Sequence, residues 1–249
     1  MIEFLSAISW VAVLEIIAID ILLGGDNAVV IALACRNLPP QQRKLGILWG
    51  TAGAIVLRVI LIFFALSLLQ LPGLKLAGAI MLVWIGVKLL AAEAEENHGN
   101  VSGSDRLWGA VKTVIVADFV MSLDNVIAIA GAAETAAPGQ QLPLVIFGLL
   151  VSIPIIVWGS QLVIKLMDRY PSIITAGGML LGWIAGTMAV GDPLLADTLA
   201  TEAASKPGGQ AVVPALVRYG AGVAGALVVL VVGLFFKRRA AAATAAGAH

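Results

Sequence analysis

Two short stretches hold the residue types from which a cation site can be built. Asp20-Ile21-Leu22-Leu23-Gly24-Gly25-Asp26-Asn27 places two carboxylates and an amide inside a long apolar run, and Asp118-Phe119-Val120-Met121-Ser122-Leu123-Asp124-Asn125 repeats the pattern. A carboxylate at the centre of a bilayer costs at least ~2.5 kcal/mol on insertion scales. Four of them near the middle of two apolar segments exceed what packing explains. A purely structural reading pairs these acids with Arg58 and backbone donors, but one arginine does not neutralise four acids. The available ligands are all oxygen: carboxylate, amide carbonyl, backbone carbonyl and water. Such a set suits Mg²⁺, Ca²⁺ and Mn²⁺ more than Zn²⁺ or Cu⁺. Neither His98, in a polar loop, nor Cys35, at the end of an apolar run, accompanies it. Four carboxylates also suit a divalent cation better than Na⁺, and any that take up protons in one state offer a route to proton coupling.

The spacing limits how these groups meet. In a straight helix Asp20 and Asn27 share a face about 10 Å apart along the axis, and Asp26 points about 120° away from Asp20. One ion bridges Asp20 and Asp26 only if the helix opens between them. Gly24-Gly25 is expected to supply that break, because adjacent glycines are poor helix formers. The second stretch has Ser122-Leu123 there, so the two copies are not equivalent. Glu15, eleven residues before Asp26, falls on nearly the same face and is a candidate for the pathway, or a hydrogen-bonded helix acid. Arg58 is a candidate for charge compensation, or for fixing one aspartate in place.

The elements that carry these residues are membrane spans. The chain is 60% apolar and 12% charged, against roughly a quarter charged in soluble proteins. Its mean hydropathy is +1.02. Apolar runs at about 4–35, 45–69, 74–92, 107–133, 142–167, 172–190 and 214–236 approach or exceed the ~20 residues a spanning helix needs. Glu3 stands where a signal peptide would be basic, so the first span is expected to stay in the mature protein. Lone Cys35 excludes an internal disulfide. Zero net charge gives no sign of nucleic-acid binding. With seven spans, Arg36, Arg43, Lys44, Lys88, Arg106, Lys112, Lys165, Arg169 and Lys237-Arg238-Arg239 fall on one side, and only Lys75, Lys206 and Arg218 on the other. The positive-inside rule then places the N-terminus outside and the C-terminus in the cytoplasm.

The chain also repeats itself. A shift of 98 residues carries Asp20, Asp26 and Asn27 onto Asp118, Asp124 and Asn125, and Gly50 onto Gly148. One residue more carries Gly78, Trp84 and Ile85 onto Gly177, Trp183 and Ile184. Three spans repeat as three spans, and an odd number of crossings inverts the second copy. The expected fold is thus an all-α membrane protein with seven transmembrane helices, a 3+3 inverted repeat plus one C-terminal helix. Residues 1–92 form the first repeat, 93–106 an acidic cytoplasmic loop and 107–190 the second repeat. Residues 191–213 form an extracytoplasmic loop, 214–237 the seventh span and 238–249 a cytoplasmic tail. Inverted repeats with sites near midplane are a mark of secondary transporters.

The paired stretches Leu23-Gly24-Gly25-Asp26-Asn27-Ala28-Val29-Val30-Ile31-Ala32 and Ser122-Leu123-Asp124-Asn125-Val126-Ile127-Ala128 resemble those of the TerC family of integral membrane proteins, in its compact YjbE-type branch. The resemblance covers the chain to about Arg239. It implies a place in the lysine-exporter-like superfamily and manganese efflux across the bacterial inner membrane. It also implies a metal site of Asp20, Asp26, Asn27, Asp118, Asp124 and Asn125. The choice of manganese over calcium comes from the family alone.

Together these readings lead to the expectation that the chain exports Mn²⁺ by proton antiport with alternating access, manganese being what the resemblance implies. Its partners would be the metal, protons and the lipid bilayer; no organic cofactor or nucleic acid is expected. Other readings are export of another divalent cation such as calcium, export of a small solute such as an amino acid, or a metal-binding scaffold that transports nothing. No phosphate-binding Gly-x4-Gly-Lys-Ser/Thr loop, nucleophile–base pair or zinc motif points to an ATPase or another enzyme.

Overall fold

In hydrocarbon every backbone N–H and C=O must be satisfied within the protein, which leaves helices as the economical solution for an apolar chain. The computed structural model describes residues 10–69, 71–91, 103–133, 141–199 and 213–246, and within the helices the side chains of Glu15, Asp20 and Asp124 are among those not described. Every described element is a helix: α1 (Trp10–Cys35), α2 (Pro40–Leu69), α3 (Leu74–Ala91), α4 (Gly103–Ala133), α5 (Gln141–Arg169), α6 (Ser172–Ala189), α7 (Pro193–Leu199) and α8 (Ala215–Ala246).

Five of them, α2, α3, α5, α6 and α8, are long and apolar enough to cross a membrane, and only 22–39% of their most apolar windows is buried inside the protein. Their outward faces carry Trp49, Phe63, Phe64, Trp84, Trp158 and Phe235, all exposed. Contiguous apolar surface of that kind is stable against lipid and not against water. The chain is a multi-pass integral membrane protein. Helices α1 and α4, of 26 and 31 residues, are the two that carry the Asp/Asn motifs.

The expected break at Gly24-Gly25 is absent, since α1 runs as one α-helix through both glycines. Two interior glycines cost about 2 kcal/mol by helix propensity. Opening the ladder in an apolar setting leaves several backbone groups unsatisfied at several kcal/mol each. The second cost wins. With the helix intact, positions 20 and 26 lie about 120° apart around it, and a single ion shared by Asp20 and Asp26 within α1 is withdrawn. Helix α5 likewise runs through Pro154. The segment read as a loop from residue 191 carries the short helix α7. Residues 92–102, which hold most of the acidic loop, lie outside those described, as do 200–212.

The chain separates into two compact units, residues 1–66 with 110–164 and residues 67–109 with 165–249. Each draws on both halves of the expected repeat: the first unit holds α1, α2, α4 and most of α5, and the second holds α3, α6, α7 and α8.

In the second unit α3, α6 and α8 pack on one another. The closest approach is between α6 and α8, where a Cβ added at Gly182 would land on the Gly225 backbone and one at Gly186 on that of Ala221. Membrane helices pack through such small residues because lipid supplies little hydrophobic drive between them. At the end of α6, fully buried Asp192 ties three segments together. Its Oδ1 accepts from Gly73 N–H at 2.8 Å and Leu194 N–H at 2.9 Å, and its Oδ2 from Leu76 N–H at 3.0 Å. It thereby caps both α3 and α7, whose free N–H groups need acceptors. Gly73, at φ +86°, makes the turn into α3.

Burial pushes the Asp192 carboxyl up, but donors on Leu194, Gly73, Leu76 and Lys75 outweigh it and hold the carboxyl below its ordinary range. A depressed native pKa stabilises the fold above the unfolded value, ~3.9, and the benefit is lost as pH falls through the native value. Asp192→Ala should therefore cost at least about 3 kcal/mol at pH 7. Thermal unfolding in detergent checks this: the gap between native protein and variant should be full at pH 7 and close progressively below about pH 4.

Candidate cation site

The site lies within the first unit and starts from a close contact between α2 and α4. A Cβ at Gly50 would sit 3.0 Å from Val114 Cγ1, so the missing side chain lets the two helices meet. The contact continues in the same direction along both helices to Arg58, Asp118 and Ser122. Arg58 Nη2 donates to Asp118 Oδ1 at 2.8 Å, and Arg58 Nε donates to Ser122 Oγ at 3.2 Å. Ser122 Oγ in turn donates to Asp118 Oδ2 at 3.1 Å. Ser122 stands one turn after Asp118, the spacing at which helix side chains meet. All three residues are buried. Both oxygens of this carboxylate are engaged, one by a cation and one by a hydroxyl.

Helix α1 brings the second set of groups. Its Ala28 meets α5, 3.8 Å from where a Cβ at Gly159 would stand. One and two residues earlier come Asn27 and Asp26. Asn27 is 4% exposed. Asp26 lies within Coulombic reach of both Arg58 and Asp118. Among the described residues, Asp26 Oδ1 and both side-chain polar atoms of Asn27 have no hydrogen-bond partner. The same is true of Thr51 Oγ1, on α2 two turns before Arg58 and on its face. A buried polar atom left unpartnered costs about 1–3 kcal/mol. The three oxygens can accept from a donor or ligate a cation, whereas Asn27 Nδ2 can only donate.

The predicted residues thus divide. Asp118 and Arg58 form a direct pair, Asp26 and Asn27 stand near it, and Asn125 is half-buried. The side chains of Asp20, Asp124, Glu15 and Gly24 lie outside those described. Among the described residues no three of His, Cys, Asp or Glu gather into one group. Ser122 and Thr51 were not singled out as site residues by sequence. Ser122 was detectable from its i+4 spacing to Asp118 and from the glycine, Gly24, at the matching place in the first copy; Thr51 gives no such signal.

The model of the TerC family of integral membrane proteins matches residues 5–241. The membrane protein YjbE of Bacillus subtilis is 43% identical over 185 residues, 74% of this chain and 82% of that protein. Bacillus subtilis YkoY is 29% identical over 196 residues, covering 73% of this chain and 60% of YkoY. The inner membrane protein YoaE of Escherichia coli K12 is 24% identical over 183 residues, 66% of this chain and 34% of YoaE. No solved structure is a significant match.

The two acids should respond to substitution with opposite signs. Asp118→Ala strands the buried Arg58 and should cost about 3–5 kcal/mol. Asp26→Asn removes a charge with an unpartnered oxygen and should be neutral or stabilising by about 1 kcal/mol, as expected where function opposes stability. Thermal melts of the purified variants in the absence of metal provide the comparison.

Proposed function

Because the chain belongs to the TerC family of integral membrane proteins, we propose that it is a secondary transporter exporting Mn²⁺ from the bacterial cytoplasm. The observation that carries this reading is the buried, unpartnered oxygen set of Asp26 and Asn27 beside the Arg58–Asp118 pair. Native proteins leave few buried polar atoms unsatisfied, and a cation is one partner that these oxygens fit. In this reading Asp124 and Asn125 join them as ligands, Asp20 belongs to a separate position along the pathway, and helices α1 and α4 complete seven spans in an inner membrane, with the N-terminus outside. The choice of manganese among hard divalent cations rests on family resemblance.

Alternating access of the two inverted halves would carry the ion. Moving two positive charges outward against a negative interior costs ~4.6 kcal/mol per 100 mV. Exchange for two protons taken up by the aspartates removes that electrical cost, and a larger number draws on the potential. Residues Asp26 and Asn27 bind and orient the ion; the apolar walls around them exclude bulk water. Glu15 would line the approach.

Mn²⁺ flux in proteoliposomes, at varied pH and voltage and with Ca²⁺ as competitor, tests the proposal. Asp26→Asn and Asp124→Asn should each lower flux by more than about tenfold. Unchanged flux in both would favour a scaffold, and flux indifferent to pH and voltage would remove the antiport.

A further inference from the structure

We infer that Arg58 is a tethered counter-cation that occupies Asp118 while the site holds no metal and yields it when metal binds. The inference rests on the transport reading and adds a role for a residue that binds no metal.

The hydrogen bonds give the first reason. The guanidinium takes Asp118 Oδ1 at 2.8 Å, while Oδ2 is held by the hydroxyl of Ser122. The two oxygens therefore have separable partners. Withdrawal of Arg58 removes its bond to Oδ1 and leaves the carboxylate oriented by Ser122 from its own helix. Asp118 is presented to whichever cation occupies Oδ1.

Electrostatics gives the second. A divalent ion on Oδ1 and a guanidinium at hydrogen-bond distance from the same atom repel strongly in a poorly screened interior. Pairing with Arg58 and ligation of metal are alternatives. Asp26, with its unpartnered Oδ1, lies close enough to feel both charges. A metal entering at Asp26 thus meets a site whose neighbouring ligand is already occupied by a cation it must displace.

The third reason is asymmetry between the copies. Under the 98-residue shift Ser122 falls on Gly24, and Arg58 falls on Ile156. The clamp on Asp118 thus has no counterpart at the matching positions of the first copy. A carrier returning without cargo moves its acids through the low-dielectric interior, where uncompensated charge is costly. Arg58 neutralises Asp118 for that return.

The arrangement predicts a split between affinity and turnover. If the pair is closed for about nine-tenths of the metal-free lifetime, it weakens apparent affinity about tenfold. Arg58→Gln should therefore bind Mn²⁺ about tenfold more tightly in equilibrium titration of the purified protein. In proteoliposomes it should lose net Mn²⁺ export yet keep Mn²⁺/Mn²⁺ exchange, which needs no return of the empty carrier. Arg58→Lys retains the charge but not the two-point fork. It should bind with intermediate affinity and keep part of the net export, and it decides the matter alone if Arg58→Gln does not fold. Variants that bind Mn²⁺ no more tightly than the native protein, with export and exchange falling together, would reduce Arg58 to a structural tie and overturn the inference. A native protein that neither binds nor carries Mn²⁺ or Ca²⁺ would instead overturn the transport reading and this inference with it.

Discussion

The buried ion pair between Arg58 and Asp118 is the interaction around which the first unit is arranged. It joins α2 to α4 at 2.8 Å, and the small residue at Gly50 lets the helices come near enough to make it. Taking two charges out of water is expensive, and the attraction between them offsets this only when the remaining hydrogen bonds are made. Ser122 makes one of them with each partner. A leucine pair would hold two helices together at lower cost. That the chain uses charges here is intelligible if one of them must later be released.

The neighbouring groups are arranged oppositely. Asp118 is fully engaged, whereas Asp26 Oδ1 and the Asn27 amide are buried without partners among the described residues. Asp118 of the second copy is thus compensated from within the protein, and Asp26 and Asn27 of the first hold polar atoms without partners among the described residues. The two compact units add a contrast of their own. The unit of α3, α6 and α8 is held by small residues and backbone contact, with Asp192 engaged in capping. The buried acid with unpartnered oxygen belongs to the other unit. Rigid packing and costly polar chemistry are kept in separate parts of the chain.

Much of this was legible in the sequence because charge in an apolar run is conspicuous. Asp26, Asn27, Asp118 and Arg58 stood out for that reason, and the helical architecture followed from the length of the apolar segments. Gly24-Gly25 was misread, since a propensity measured in water understates the cost of breaking a helix where no water can replace its hydrogen bonds. Which of four acids Arg58 would choose depended on the register of α2 against α4, and no spacing along one helix reports that. Thr51 was silent because threonine is unremarkable in a membrane helix until its hydroxyl is found without a partner. The halves expected from the repeat did not coincide with the compact units, because helices from both copies contribute to each.

The central claim is that the acids of the first unit exchange an internal cation for a metal ion. A structure of the protein soaked with Mn²⁺, with anomalous scattering to locate the metal, tests it most directly. The account predicts anomalous density ligated by Asp26 and Asn27, with Asp118 Oδ1 released from Arg58 and Ser122 still bonded to Oδ2. Density found elsewhere, with the Arg58–Asp118 pair intact at 2.8 Å, would contradict it.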